Sequence, residues 1–165
     1  MKLKPLLLLS ALVLFPLIGT AQLANHQALY LYNFTRYIEW PAEMQEGNFT
    51  IGVLGSNSDV ASALKDISTK RKVGTRTLEV LEFKSSKDVK KCNILFIPKS
   101  KMGDYSASIA KLKSGTLIVT EDSTFPDGSM INLVFDGTKL KYDINKGNVT
   151  SSNLKMSDKL SALSQ

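Results

Sequence analysis

The chain has 165 residues and a formal charge of +6 at pH 7, from 21 lysines and arginines against 15 acids. That length fits one domain with its own hydrophobic core. Cys92 is the only cysteine, which excludes an internal disulfide. The charge is mildly basic, and such a surface attracts acidic polymers, anionic lipids or an acidic protein face.

The first 21 residues predict export. Two lysines precede an almost entirely apolar run over residues 5–18, and the small residues Gly19 and Ala21 occupy the −3 and −1 positions of a cleavage site. These are the three parts of a secretory signal peptide. A retained membrane anchor is the alternative, but the apolar run is shorter than the roughly 20 residues of a membrane span. We predict a signal peptide over 1–21 and one exported domain over 22–165, which is expected to bind no nucleic acid.

An aromatic stretch follows this boundary and predicts a helix over residues 29–39. Its apolar side chains recur at helical spacing, and Pro41 disfavours helical geometry at Trp40, so the helix is expected to end there. We expect its Tyr and Phe side chains to lie in the core. Arg36 and Trp40 fall on the other side, and both residue types are enriched at binding hot spots. A core role and a contact role therefore both remain open for Arg36 and Trp40.

The rest of the chain alternates between strands and helices. Predicted strands cover 49–55, 76–83, 92–98 and 116–120, and predicted helical segments cover 60–68, 85–91 and 105–113. Strands that are apolar nearly throughout are typical of a parallel sheet buried on both faces. Two further strands, 130–135 and 139–144, meet at Asp136-Gly137, a strong hairpin signal, and 149–163 is predicted to be a helix with a break near Asn153. The pattern predicts the α/β fold class. The expected architecture is a single three-layer α/β/α domain whose mostly parallel sheet ends in a C-terminal antiparallel hairpin.

Signals for chemistry are sparse. The turn after the first predicted strand, capped by Ser58 or Asp59, lies where α/β folds bind phosphates, but no phosphate-binding motif is present. Glu121, Asp122 and Asp127 follow a strand end, where catalytic or metal sites occur in open α/β sheets. A stable metal site needs several convergent ligands, and no histidine is near. We predict no catalytic residue, no metal and no cofactor.

Two other features are expected to be structural. Cys92 opens a predicted strand, and free cysteines are usually buried. Lys70-Arg71-Lys72 with Arg76 is expected to be a solvated basic loop.

Three blocks of sequence point to one family. The first block consists of residues 30–41 and 49–55. The second is 92–97. The third consists of 128–134, 140–145 and 154–160. Together, and in this order, they resemble the YfiR family of small periplasmic proteins over nearly all of the chain after residue 21. The resemblance implies a non-enzymatic periplasmic regulator that binds, and represses, the periplasmic part of an inner-membrane signalling protein such as a diguanylate cyclase or a sensor kinase. It also implies a homodimer.

The chain departs from the family pattern at one position. Family members often pair the cysteine that matches Cys92 with a cysteine on the first strand of the sheet, which we align with Gly52. Glycine has no thiol, so control through that disulfide is not expected in this chain.

These observations lead to a predicted protein-binding regulator. The residues expected to contact the partner are Arg36, Trp40, Met130, Ile131 and Asn132. The alternative is a small-ligand-binding sensor module, with its pocket in the crevice past Gly55 and Thr120. An enzyme is the third hypothesis, and it requires the strand-end acids named above to converge in a cleft.

Overall fold

The structure, a computed structural model, describes residues 19–112 and 114–163. Most of the predicted signal peptide therefore lies outside the described residues. The helices are α1 (Thr20–Phe34), α2 (Asp59–Ser68), α3 (Tyr105–Ile109), α4 (Lys146–Ser151) and α5 (Asp158–Leu163). The strands are β1 (Ile38–Glu39), β2 (Phe49–Leu54), β3 (Leu78–Phe83), β4 (Ile94–Ile97), β5 (Leu117–Glu121), β6 (Ile131–Phe135), β7 (Leu140–Ile144) and β8 (Lys155–Met156).

Six strands form the central sheet, in the order β3-β2-β4-β5-β6-β7. All neighbours pair in parallel except β6 and β7, which are antiparallel. The β6–β7 turn is the predicted one, with Gly137 at φ +94° and the Asp136 N–H bonded to the Lys139 carbonyl at 3.1 Å. A separate two-stranded antiparallel sheet joins β1 to β8. The predicted fold class, α/β with a mostly parallel sheet and a C-terminal hairpin, is confirmed.

Helices cover both faces of the central sheet. The β2–α2–β3 and β4–α3–β5 crossovers run in opposite directions along the sheet, so their right-handedness places α2 and α3 on opposite faces. Helix α1 packs beside α2. Of the two predicted cap candidates, Ser58 caps α2, its side chain accepting the Ala61 N–H.

The aromatic side of α1 packs on the β7 end of the sheet. The rings of Tyr30 and Phe34 each meet Tyr142 edge to face, with centroids 5.4 Å apart. The Tyr142 hydroxyl donates to the Leu160 carbonyl at 3.3 Å, so α5 is bound to the same end of the sheet. The expected core position is confirmed for Phe34 and Tyr32, while Tyr30 is half-buried.

The boundaries predicted for the first helix are wrong. Helix α1 starts nine residues earlier, at Thr20, and ends at Phe34 instead of Glu39. After Phe34, three consecutive N–H groups bond to carbonyls three residues back, which tightens the last turn. Ile38 and Glu39 then pair with Met156 and Lys155. The chain leaves the helix because a strand partner from the other end of the sequence is available.

The same pairing corrects the predicted helix over 149–163. The break near Asn153, which has a positive φ of 57°, is followed by strand β8 and only then by α5. Helix α4 instead begins earlier, at Lys146, where the Asn145 side chain accepts the Asn148 N–H.

Candidate functional site

Trp40, a predicted contact residue, lies in the core. Its side chain is 6% exposed. The indole Nε1–H donates to the Asn93 carbonyl at 3.1 Å, and the ring meets Phe49 edge to face at 4.8 Å. The extended backbone at and after β1 alternates its side chains, so Ile38 and Trp40 are buried and Glu39 is exposed. The prediction that Trp40 contacts a partner is therefore corrected to a structural role.

Asn93 and Arg76 complete a polar cluster around Trp40. The Asn93 side chain accepts the Thr50 N–H at 2.9 Å and donates to the Met44 carbonyl at 2.8 Å. The Arg76 guanidinium donates to four carbonyls between residues 44 and 48 and lies over the Phe49 ring. Partial burial lowers the pKa of Arg76 from its ordinary value. The expected solvated loop is therefore wrong at Arg76, which holds the segment before β2 in place.

The predicted contact residues Met130, Ile131 and Asn132 are also buried, at 2% exposure or less. Strand β6 lies inside the sheet, between β5 and β7, so both of its hydrogen-bonding edges are paired. Asn132 accepts from the Thr120 hydroxyl at 2.8 Å and donates to the Asp122 carbonyl at 3.0 Å. These three side chains fix the β5–β6 connection and are not available to a partner.

Both residues that mark the strand-end crevice predicted as a ligand pocket, Gly55 and Thr120, are buried. Thr120 is fully buried, and its hydroxyl lies 2.9 Å from that of Ser129. At Gly55, the Lys101 side chain comes within 3.7 Å of the position that a Cβ would occupy.

The strand-end acids do not converge. Glu121 accepts the Lys99 N–H at 3.3 Å, whereas the Asp122 carboxylate turns back to the Ser123 N–H at 2.6 Å. Asp127 is exposed, and its carbonyl accepts from the Tyr105 hydroxyl. Within the described residues no three His, Cys, Asp or Glu side chains are grouped as metal ligands would be.

Cys92 is buried at 2% exposure. Its Sγ lies 3.3 Å from the position that a Cβ would take at Gly52, so the two positions that the resemblance aligns are adjacent. The Phe83 ring, 2.5 Å from that same Cβ position, fills the space. Burial raises the pKa of the Cys92 thiol to about 12.

Cys92 is therefore expected to be inert in the folded protein. At pH 8 about a quarter of an unperturbed thiol with pKa 8.5 is thiolate, whereas a pKa of about 12 leaves about one part in ten thousand. We expect a chromogenic disulfide reagent at pH 8 to react at least a hundredfold more slowly with native protein than with protein unfolded in urea. The double variant Cys92→Ser/Ser106→Cys, with its thiol at an exposed position of α3, should react fast in both states. Equal rates for native and unfolded wild type would contradict the burial.

A groove between α1 and the β6–β7 hairpin is the strongest candidate for a contact site. Leu29 is 45% exposed and Phe135 is 38% exposed, and within the described residues they are the exposed large apolar side chains. Both line a groove of about 490 Å³, together with Tyr30, Asn33 and Leu140. We call this the α1–hairpin groove. Its lining combines apolar and polar side chains, which is the composition of a binding surface.

The charge at the hairpin side of the groove is positive. The Asp136 carboxylate accepts the N–H groups of Thr138 and Lys139 and pairs with Lys141 at 3.1 Å. Those hydrogen bonds hold the pKa of Asp136 well below its usual range. Because the carboxylate is used within the turn, Lys139 remains at the groove without an ion-pair partner among the described residues.

Arg36 is the one predicted contact residue that the structure exposes. It lines a smaller depression of about 300 Å³ beside β1 and β8. Its N–H bonds to the carbonyl of Asn33, a wall residue of the α1–hairpin groove, at 3.0 Å. Arg36 therefore lies at the end of the helix that forms the groove.

Sequence patterns could have indicated the groove. Leu29 is an apolar residue on the polar side of an amphipathic helix, and Phe135 directly precedes a tight Asp-Gly turn. Residue types enriched at hot spots point instead to Arg36 and Trp40, because such types are common at interfaces whatever their position in an element.

Comparisons with known proteins agree with the fold and indicate a family. A family model described as YfiR/HmsC-like matches residues 24–165. No curated protein matches the chain. Among solved structures, the ABC domain in complex with L-Trp from Streptococcus pneumoniae is similar, with a TM-score of 0.54 and 13% identity. The similarity covers 86% of this chain but 60% of that one, and at this identity it concerns the fold alone. Among the described residues, no helix combines the length and apolar composition needed to cross a membrane.

Proposed function

Because the chain belongs to the YfiR/HmsC-like family, we propose that it is a periplasmic regulator that binds the periplasmic part of an inner-membrane signalling protein and represses it. The family is periplasmic and generally regulatory rather than enzymatic. The partner class we propose is a diguanylate cyclase or a sensor kinase. The regulator is proposed to act as a homodimer, which its mass in solution tests.

The α1–hairpin groove carries this proposal. Leu29 and Phe135 expose apolar surface where no part of the described chain covers it. Exposed apolar surface rimmed by polar residues marks interaction sites. We propose that an apolar segment of the partner's periplasmic part occupies the groove, with an acidic residue beside Lys139. Arg36, which is exposed at the separate depression beside β1 and β8, is proposed as a further contact.

Repression needs only differential binding. A domain that binds the inactive conformation of the partner more tightly than the active one shifts the population toward the inactive state. At saturation, the ratio of inactive to active partner changes by the ratio of the two affinities. A hundredfold preference for the inactive conformation therefore gives up to a hundredfold repression.

The test uses the double variant Leu29→Glu/Phe135→Glu. Each substitution removes an apolar contact and would bury an unpaired charge in the interface, so we expect the Kd for the partner's purified periplasmic part to rise at least thirtyfold. The partner is first identified as a membrane signalling protein enriched from detergent-solubilised membranes by the wild type. Affinity is then measured by titration calorimetry.

The matched control is Ser62→Glu/Thr150→Glu, which adds the same charge at two exposed positions. It should bind as the wild type does, within about twofold. If no membrane signalling protein is enriched, the function is wrong. If a partner binds both variants equally, the function stands but the groove is not its site.

The alternative, a small-ligand sensor, keeps one supporting observation. The groove volume of about 490 Å³ is within the range of small-molecule pockets. A ligand in the groove would raise the melting temperature of the wild type and leave that of Leu29→Glu/Phe135→Glu unchanged.

A further inference from the structure

A cluster of lysines forms a second surface, on the opposite side of the sheet from α1. It consists of Lys84, Lys87, Lys90, Lys91 and Lys111, all exposed, and we call it the lysine face. We propose that the lysine face docks the domain on a bilayer that carries anionic headgroups. It shares no residue with the α1–hairpin groove.

The positive charge of the chain is concentrated in this region. Residues 84–113 contain eight lysines and two aspartates, a formal charge of +6. Without residues 1–21 the whole chain carries +4, so the remainder of the domain is slightly acidic. Such an asymmetry orients a protein in an electric field, whereas evenly mixed charge would not.

The fold brings the five lysines onto one layer. Residues 84–91 connect β3 to β4 in the same direction as the β4–α3–β5 crossover, so both connections lie on the α3 face. The Lys111 ammonium, just after α3, donates to the Lys87 carbonyl at 2.6 Å. At the other end, the Lys91 ammonium donates to the Glu43 carbonyl at 2.9 Å. Both hydrogen bonds use neutral acceptors, so both charges remain uncompensated.

Lysines outnumber acids on the lysine face. Asp88 lies within it and keeps its charge, because its carboxylate accepts from the neutral N–H and hydroxyl of Ser85 at 3.0 Å. The five lysines and Asp88 together carry a formal charge of +4. Glu43 borders the cleft of about 530 Å³ between Lys91 and Lys111. The ion pairs of the described residues involve Lys65, Lys141 and Lys155, none of which belongs to the face.

The residue types favour a bilayer over an acidic protein. Protein interfaces depend on Trp, Tyr and Arg anchors, and the lysine face has no arginine and no exposed large apolar side chain. Lysine is a compact, strongly hydrated point charge without the bidentate geometry of arginine. Attraction to anionic lipid requires only that several such charges approach the surface, each contributing separately.

Docking in this way leaves the other face free. Helix α1 and the groove lie across the sheet from α3, so a domain lying on its lysine face presents the groove away from the lipid. A partner segment that rises from the membrane can then reach it.

Vesicle co-sedimentation tests the docking surface. Wild-type protein without residues 1–21 should sediment with vesicles of one part phosphatidylglycerol to one part phosphatidylcholine at 50 mM salt. It should not sediment with phosphatidylcholine alone, nor at 500 mM salt, where screening is strong. The variant Lys84→Gln/Lys87→Gln/Lys90→Gln/Lys91→Gln should partition at least tenfold more weakly.

The control removes the same charge elsewhere. Lys70→Gln/Lys72→Gln/Lys146→Gln/Lys159→Gln changes four exposed lysines outside the face and should lose no more than about threefold. Equal losses in the two variants would show an effect of net charge and overturn the lysine face. If the wild type does not bind anionic vesicles, the proposal is overturned. This holds even if the lysine face is later found to contact an acidic protein. None of these outcomes depends on the proposed repression, because no partner is present.

Discussion

Trp40→Ala is expected to lower the free energy of unfolding by about 3–5 kcal/mol, the range for removing a large aromatic side chain from a core. The indole is 6% exposed, packs edge to face on Phe49 and donates to the Asn93 carbonyl. The loss is a large part of the roughly 5–15 kcal/mol that holds a domain folded. Urea denaturation followed by circular dichroism measures it.

Two further variants separate the causes. Trp40→Phe keeps most of the packing and loses the indole N–H, so we expect a loss of about 1 kcal/mol. The Asn93 carbonyl keeps a second donor, the Leu117 N–H at 2.8 Å. Arg36→Ala, four residues earlier and exposed, should change stability by less than about 0.5 kcal/mol. A Trp40→Ala protein as stable as Arg36→Ala would contradict the burial of the indole.

Asn93→Leu is expected to cost about 2–3 kcal/mol, because it leaves the Thr50 N–H without its acceptor. The leucine has a similar volume, so the loss reports hydrogen bonding more than a cavity. The Met44 carbonyl retains a donor, Arg76 Nη1 at 3.0 Å, which limits the damage. The same urea titration measures the change.

The matched control for Asn93 is Asn25→Leu, the same substitution at an exposed position of α1. It should stay within about 0.5 kcal/mol of the wild type. Similar losses at both positions would mean that the substitution acts through helix or strand propensity and not through the buried amide.

Local signals predicted much of the fold. The cap at Ser58, the Asp136-Gly137 turn and the apolar strands each depend on neighbours within a few residues, and each was placed correctly. The right-handed crossover rule then orders the parallel strands. These elements are predictable because the residues that determine them are close together in the sequence.

Pairings between distant segments were missed. The end of α1 is set by β8, whose Met156 pairs with Ile38 across more than a hundred residues. The burial of Trp40 depends on the Asn93 carbonyl, 53 positions away. Local sequence patterns do not contain such information. Trp40 and residues 130–132, which the sequence predicts as contacts, are therefore buried, and the candidate contact surface is the α1–hairpin groove. Of the predicted contact residues, Arg36 alone is exposed.

The packing of α1 on β7 also determines when, during synthesis, the aromatic side of the helix can be covered. Synthesis proceeds from the amino end, so Tyr30 and Phe34 emerge long before Tyr142, the ring that they enclose. During that interval the aromatic side of the helix has no sheet to cover, and exposed apolar surface of this kind makes unfinished chains prone to aggregate. The aromatic side of α1 can therefore be covered only after Tyr142 has been added to the chain, which is late in synthesis.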